Sequence, residues 1–243
     1  MVASLCAVPS SALVLEGVTH GGDPEVVQLR RAIAAVMPGE GCDAHVVVVA
    51  VDPAVTEPSG VVQVVAPDQV VHLGGLGRAD LRASVAPSGV RDPAVLTHPG
   101  PDLAVLAMLA HQFGAEEVSL IGLSAAPAAT ALDDAAVALA SLIAGGRAVV
   151  VAADLTPCHG TKPPRPDLAP QRAAAFDRAV MTGLHDPAML DDLQPEAHVL
   201  SCRGLPTLRL AARIARHHGL GPGPAHRTIA GGVSGLVCAW QPL

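Results

Sequence analysis

The 243-residue chain has almost no aromatic side chains: no tyrosine, one tryptophan (Trp240) and two phenylalanines (Phe113 and Phe176). Its only lysine is Lys162, so nearly all positive charge is arginine. The shortage of lysine reads as a high-GC compositional bias. Without aromatic residues interleaved among basic ones, and with a net charge of −7, the chain lacks the electrostatic footprint of a nucleic-acid binder. No apolar run approaches the roughly 20 residues that span a bilayer, so no membrane partner is expected. The N-terminus lacks the basic region of a secretory signal and reads as a first strand. The five cysteines, Cys6, Cys42, Cys158, Cys202 and Cys238, are scattered and form no CxxC. An odd, dispersed set fits reduced thiols in the cytoplasm better than a disulfide framework. Neither GxGxxG nor GK[ST] occurs, so no phosphate-binding loop is predicted.

What is present is alanine and valine in alternating blocks, with a hydrophobic fraction of 50%. Val2–Val8, Ala44–Val51, Glu117–Leu123 and Ala148–Ala153 are short apolar runs. Each is read as a strand, and Ala44–Val51, a continuous β-branched run, as a central strand buried on both faces. Shorter strands are predicted near 60–65 and 69–73. Helical periodicity appears over 24–37, with Asp23 as N-cap and Pro24 at the first helical position. It recurs over 101–113, 131–143, 171–184 and 203–218, with a short helix or turn over 186–193. The segment 219–224 reads as a loop, and 228–240 as one glycine-bent final strand. Strands alternating with helices predict an α/β fold: one three-layer domain over residues 1–243, with a mostly parallel or mixed central sheet and helices on both faces.

In open α/β sheets, ligands sit at the carboxyl ends of the strands. Those ends are Pro9-Ser10, Asp52-Pro53 and Asp154-Leu155-Thr156-Pro157-Cys158-His159. Asp52 is either a hard-cation ligand or an Asp-Pro turn initiator. Asp154 either orients a partner or caps its own turn. Cys158 beside His159 suggests a thiolate pair or a metal site, or else a surface loop.

Several segments, in order, resemble the LigB-like superfamily, the catalytic-subunit fold of class III extradiol ring-cleaving dioxygenases, which also includes Memo-type proteins. The likeness is strongest to an actinobacterial branch of that superfamily. The segments are CAVPSSALVLEGV, HVVVVAVDP, AVVVAADLT, QRAAAFDRAV, LHDPAMLDDL, CRGLPTLRLAARIA and GGVSGLVCAW. The resemblance spans nearly the whole chain. It implies a non-haem Fe(II) held by two histidines and a carboxylate, with a further histidine as acid/base. It also implies an aromatic or other small-molecule ligand, and a homo-oligomer or a small partner subunit.

Residue by residue, the chain departs from that pattern. The first histidine position falls on Ser10 and the second near Asp52. The histidine of the catalytic loop is replaced by Pro157, with His159 two residues later. The ligand-type residue nearest the third position is His226. The resemblance therefore implies His159 and Asp154 as catalytic groups, Ser10 and Thr156 as substrate contacts, and Asp52, His159 and His226 as metal ligands. Two functions follow as expectations. One is a dioxygenase-like protein with a degenerate iron site that binds a small molecule without catalysis. The other is an active extradiol-type dioxygenase or related oxidoreductase, using Fe(II) in a rebuilt site.

Overall fold

The computed structural model describes residues 5–15, 18, 23–37, 45–56, 61–64, 70–76, 78–86, 94–96, 98–160 and 162–243. Four strands form the centre of the main sheet: β1 (Leu5–Val8), β8 (Ala148–Ala152), β2 (His45–Val51) and β7 (Glu117–Leu123), hydrogen-bonded in that order and all parallel. All four are buried almost throughout, and β2 and β8 are dominated by valine. On β2, Val46, Val48 and Ala50 enter one apolar cluster, while Val47 and Val49 enter the other. The side-chain period of two along a strand produces this division. Fully burying a valine is worth roughly 1.5–3 kcal/mol, so these runs dominate the stability of the sheet.

Antiparallel strands complete both edges. Beyond β7 lies β3 (Val61–Val64), antiparallel to it, with β6 (Ala94–Leu96) pairing parallel to β3. Beyond β1 lies β11 (Val233–Pro242), which pairs with β10 (His226–Ala230) and β9 (Leu220–Pro222). A separate hairpin joins β4 (Val70–Leu73) to β5 (Arg78–Ser84).

Helices cover both faces. On one side lie α1 (Pro24–Ala34) and α2 (Pro101–Gln112), which bury Leu29, Ile33 and most of α2 against Val48 and Val150. On the other lie α3 (Ala129–Ala144), α4 (Pro170–Gly183), α5 (Pro187–Asp192), α6 (Gln194–Val199) and α7 (Leu205–His218). The α/β class and three-layer arrangement are thus as the sequence predicts. Asp23 caps α1 as expected, its carboxylate accepting from the Glu25 amide at 2.9 Å.

Several local expectations are corrected. The final glycine-bent strand is a hairpin. Gly231 and Gly232 take φ of 58° and 81°, and two positive-φ residues make the tight turn between β10 and β11. The loop read over 219–224 contains β9, and α6, β5 and β6 lack a sequence counterpart. Helix α7 is buried over Leu205–Ala215 and not only along its leucine stripe. It accommodates Arg209 and Arg213 by pairing both with Asp191, and Arg213 also with Asp133. Cys42 lies outside the described residues. The other four cysteines are free and buried.

Candidate functional site

Because β1, β8, β2 and β7 run parallel, their carboxyl ends share one edge. Ser10, Asp154, Asp52 and Ser124 follow those ends. Ser10 and Asp154 are joined directly. The Ser10 amide donates to Asp154 Oδ2 at 3.0 Å, and the Ser10 hydroxyl makes a short hydrogen bond to the same oxygen. The backbone of Asp154 is clamped from the other side. Its carbonyl accepts from the Gly204 amide at 2.6 Å, and a Cβ on Gly204 would lie 2.7 Å from the Asp154 nitrogen and oxygen. Gly204 is therefore dictated by space.

The turn that brings Gly204 in begins at Ser201, which is the one non-glycine residue with positive φ (55°) among the described residues. Its hydroxyl accepts from Arg165 Nη1 at 2.7 Å. Strained backbone of this kind is characteristic of functional sites. Here it delivers Arg203 to the strand ends, where Nη2 donates to Asp102 Oδ2 in a short ion pair. Asp102 sits in the first turn of α2, where the helix dipole favours a negative charge. The Arg203 side chain is 51% exposed and that of Asp102 13%.

Burial pushes the Asp102 carboxyl up to about 6. The nearby Asp154 charge acts in the same direction, and Arg203 and the Ser10 hydroxyl oppose it. Burial also raises Asp154, against the hydroxyl and amide of Ser10 and the charge of Arg203.

Asp52 is not free for a ligand. Its Oδ1 accepts from the Ala54 amide at 2.9 Å and its Oδ2 from the Gly100 amide at 2.7 Å, so it fixes its own Asp-Pro turn and the approach to α2.

Thr156 and His159 belong to a second, buried network. The loop after β8 is strapped to β11 and its turn: Leu155 N donates to Ser234 O at 2.8 Å, Ser234 N to Thr156 O at 3.0 Å, and His159 N to Gly232 O at 2.9 Å. His159 Nε2 lies 2.8 Å from Thr156 Oγ1, 3.0 Å from Asp177 Oδ2 and 2.9 Å from Arg227 Nη2. Asp177 is fully buried and also accepts from Thr156 Oγ1 (2.9 Å), Ser234 Oγ (2.8 Å) and Arg227 Nε (2.8 Å). A hydroxyl–histidine–carboxylate relay uses two different ring nitrogens. Here a single nitrogen meets both partners, and Thr156 gives its proton to Asp177. The cluster is a clamp on the loop and not a nucleophile with its base. Burial and the Arg227 charge lower the His159 pKa, against Asp177. Burial raises the Cys158 thiol, so Cys158 and His159 form no activated thiolate pair.

The set Asp52, His159 and His226 does not converge. His226 is exposed, one residue from Arg227 on β10 and therefore on the opposite face from the Asp177 network. Among the described residues no group of three or more His, Cys, Asp or Glu side chains is placed to hold an ion. Ser10, standing at the first histidine position, is occupied with Asp154. The donors that the resemblance implies for iron therefore do not fit it in this arrangement.

Of the residues expected from the sequence, Ser10 thus meets Asp154 and Thr156 meets His159, in two separate clusters. Asp102, Arg203, Asp177, Arg227 and Ser234 are not foreseen. One signal for Asp177 is available: it interrupts the apolar stripe Ala173, Phe176, Val180 of α4, where a charge needs a buried partner.

No protein-family model matches this chain, and no curated protein matches it in sequence. Among described residues, no helix is long and apolar enough to cross a membrane. In structure the chain is similar to the uncharacterized protein JW3007 from Escherichia coli K12. The two share 13% identity at a TM-score of 0.58, over 97% of this chain and 98% of that one, a likeness that establishes the α/β fold alone.

Proposed function

We propose that the chain is a LigB-like, extradiol-dioxygenase-like protein whose iron position has degenerated, and that it binds a small polar or aromatic molecule at the strand ends without cleaving it. The observation that carries this reading is the use of the side-chain atoms at the two early ligand positions. Ser10 is committed to Asp154, and both oxygens of Asp52 are committed to backbone amides. A carboxylate already holding two amide hydrogens loses that stabilisation if it turns toward a cation. The exposed charged group at this edge is Arg203, placed over Asp102 and Asp154. Its planar fork suits a carboxylate or a polarised oxygen of a ligand.

The test is anaerobic reconstitution with Fe(II), followed by metal analysis and oxygen uptake with a catechol panel. The expected result is iron well below one equivalent and no oxygen uptake. Near-stoichiometric iron with turnover overturns the proposal and restores the dioxygenase reading.

A further inference from the structure

Away from the strand ends, the last turns of α1 and α2 border a cavity of about 290 Å³. Val14, Ile33, Leu109 and Phe113 give it an apolar lining, and Arg30 and Arg31 supply its charge. Among the described residues no acidic side chain lines it, in a chain whose net charge is −7. A second cavity, of about 230 Å³, shares Gln112 with the first. Its wall is Leu15, Leu81 and Met108 with Arg82 as its basic member, again without a carboxylate among the described residues. This groove is distinct from the strand-end edge. Asp102 stands in the first turn of α2, whereas Leu109 and Phe113 stand at its far end.

The two arginines of the first cavity differ in their use. Arg30 secures the wall: its Nε donates to Val14 O at 3.0 Å and its Nη2 to Leu15 O at 2.6 Å. It thereby places a fixed positive charge beside the apolar lining. Arg31 is exposed, and among the described residues no hydrogen bond or ion pair engages its side chain. Both helices end here, and their carbonyl ends carry roughly half a negative charge each. Two full guanidinium charges exceed that. An apolar lining beside an unpaired guanidinium suits a ligand with an apolar body and one planar anionic head.

We propose that this groove binds an amphipathic monocarboxylate, with its apolar body against Ile33, Leu109 and Phe113 and its carboxylate on Arg31. The first cavity is close to the roughly 300 Å³ at which small-molecule sites begin, and the adjoining one lengthens the groove for a linear chain. Binding is non-covalent and independent of the strand-end reading.

The experiment is isothermal titration calorimetry of the whole chain with octanoate, below its micelle concentration, and with octanol as the uncharged probe. The expected result is saturable one-to-one binding of octanoate, tighter than that of octanol. Arg31→Gln should weaken octanoate about fivefold, the upper end for an exposed ion pair, and leave octanol unchanged. Ala34 lines the cavity and is exposed, so Ala34→Trp should crowd the groove without disturbing the core, and abolish binding of both probes. The proposal is overturned if octanoate binding does not saturate, if octanol binds as tightly, if Arg31→Gln weakens both probes equally or neither, or if folded Ala34→Trp binds as the wild type does. Should Ala34→Trp fail to fold, the wild-type and Arg31→Gln titrations decide it.

Discussion

Replacing Asp102 by asparagine should flatten the dependence of stability on pH. The carboxyl is raised from its ordinary 3.8 to about 6, chiefly by burial. The folded state therefore binds a proton that the unfolded state has already lost between those values. A raised carboxyl contributes its stability fully below about 3.8 and loses it as pH rises through about 6. The complete shift corresponds to about 3 kcal/mol. Between pH 4 and pH 8 the wild type should lose about 2 kcal/mol through this group. For a chain of this size that is roughly 4–8 °C in Tm. Asparagine keeps the shape and cannot ionise. It also removes the like charge beside Asp154, which lowers that carboxyl and acts in the same direction. The assay is thermal unfolding by circular dichroism at half-unit steps from pH 4 to 8. Wild-type Tm should fall relative to Asp102→Asn across pH 5–7. Parallel curves would refute the assignment of a held proton to Asp102.

Gly204→Ala should cost about 1–3 kcal/mol in urea unfolding, since the new methyl meets the Asp154 backbone at 2.7 Å; an unchanged midpoint contradicts the clamp on that loop. Asp177→Ala leaves Arg227 facing an emptied, buried position and should cost about 3–5 kcal/mol. His159→Ala removes the neutral member of the same network and should cost less; equal losses in chemical denaturation would show that His159 is charged there. Gly232→Ala, at φ 81° and with its methyl 2.7 Å from the His159 carbonyl, should loosen the β10–β11 turn, read as faster amide hydrogen exchange at Ser234 and His159.

The fold is legible where one local rule acts alone. Val46 to Val51 is β-branched almost throughout and must be buried on both faces, so its strand and its place near the sheet centre follow from composition. Asp23-Pro24 fixes the start of α1 by the same kind of local chemistry. The final hairpin is not legible because Gly231-Gly232 sits between two apolar runs, where a glycine pair signals either a bend or a reversal. The choice depends on whether β10 finds a partner, which is tertiary information. Strand β3 is legible as the short apolar run near 60–65, whereas β6 is a three-residue edge element whose existence depends on β3 offering it an open side.

The site is legible only along the strands and not across them. Ser10, Asp52, Asp154 and His159 are found because each follows an apolar run, and the rule that ligands sit at strand ends needs no knowledge of neighbours. What each residue does is decided by residues far away in sequence. Asp177 and Arg227 take His159 out of reach as a base. Gly100 takes the oxygen of Asp52 that a cation needs. Arg203 and Asp102, 101 positions apart, meet because a strained turn at Ser201 and the first turn of α2 converge above β8. Sequence alone credits a histidine with a free imidazole and an aspartate with two free oxygens. Here those atoms are bound within the protein, while the half-exposed guanidinium of Arg203 is the group left facing solvent. The chemistry of this edge therefore passes from the histidines and carboxylates named by resemblance to an arginine over a carboxyl pair. That arrangement offers no three-donor seat for a metal among the described residues.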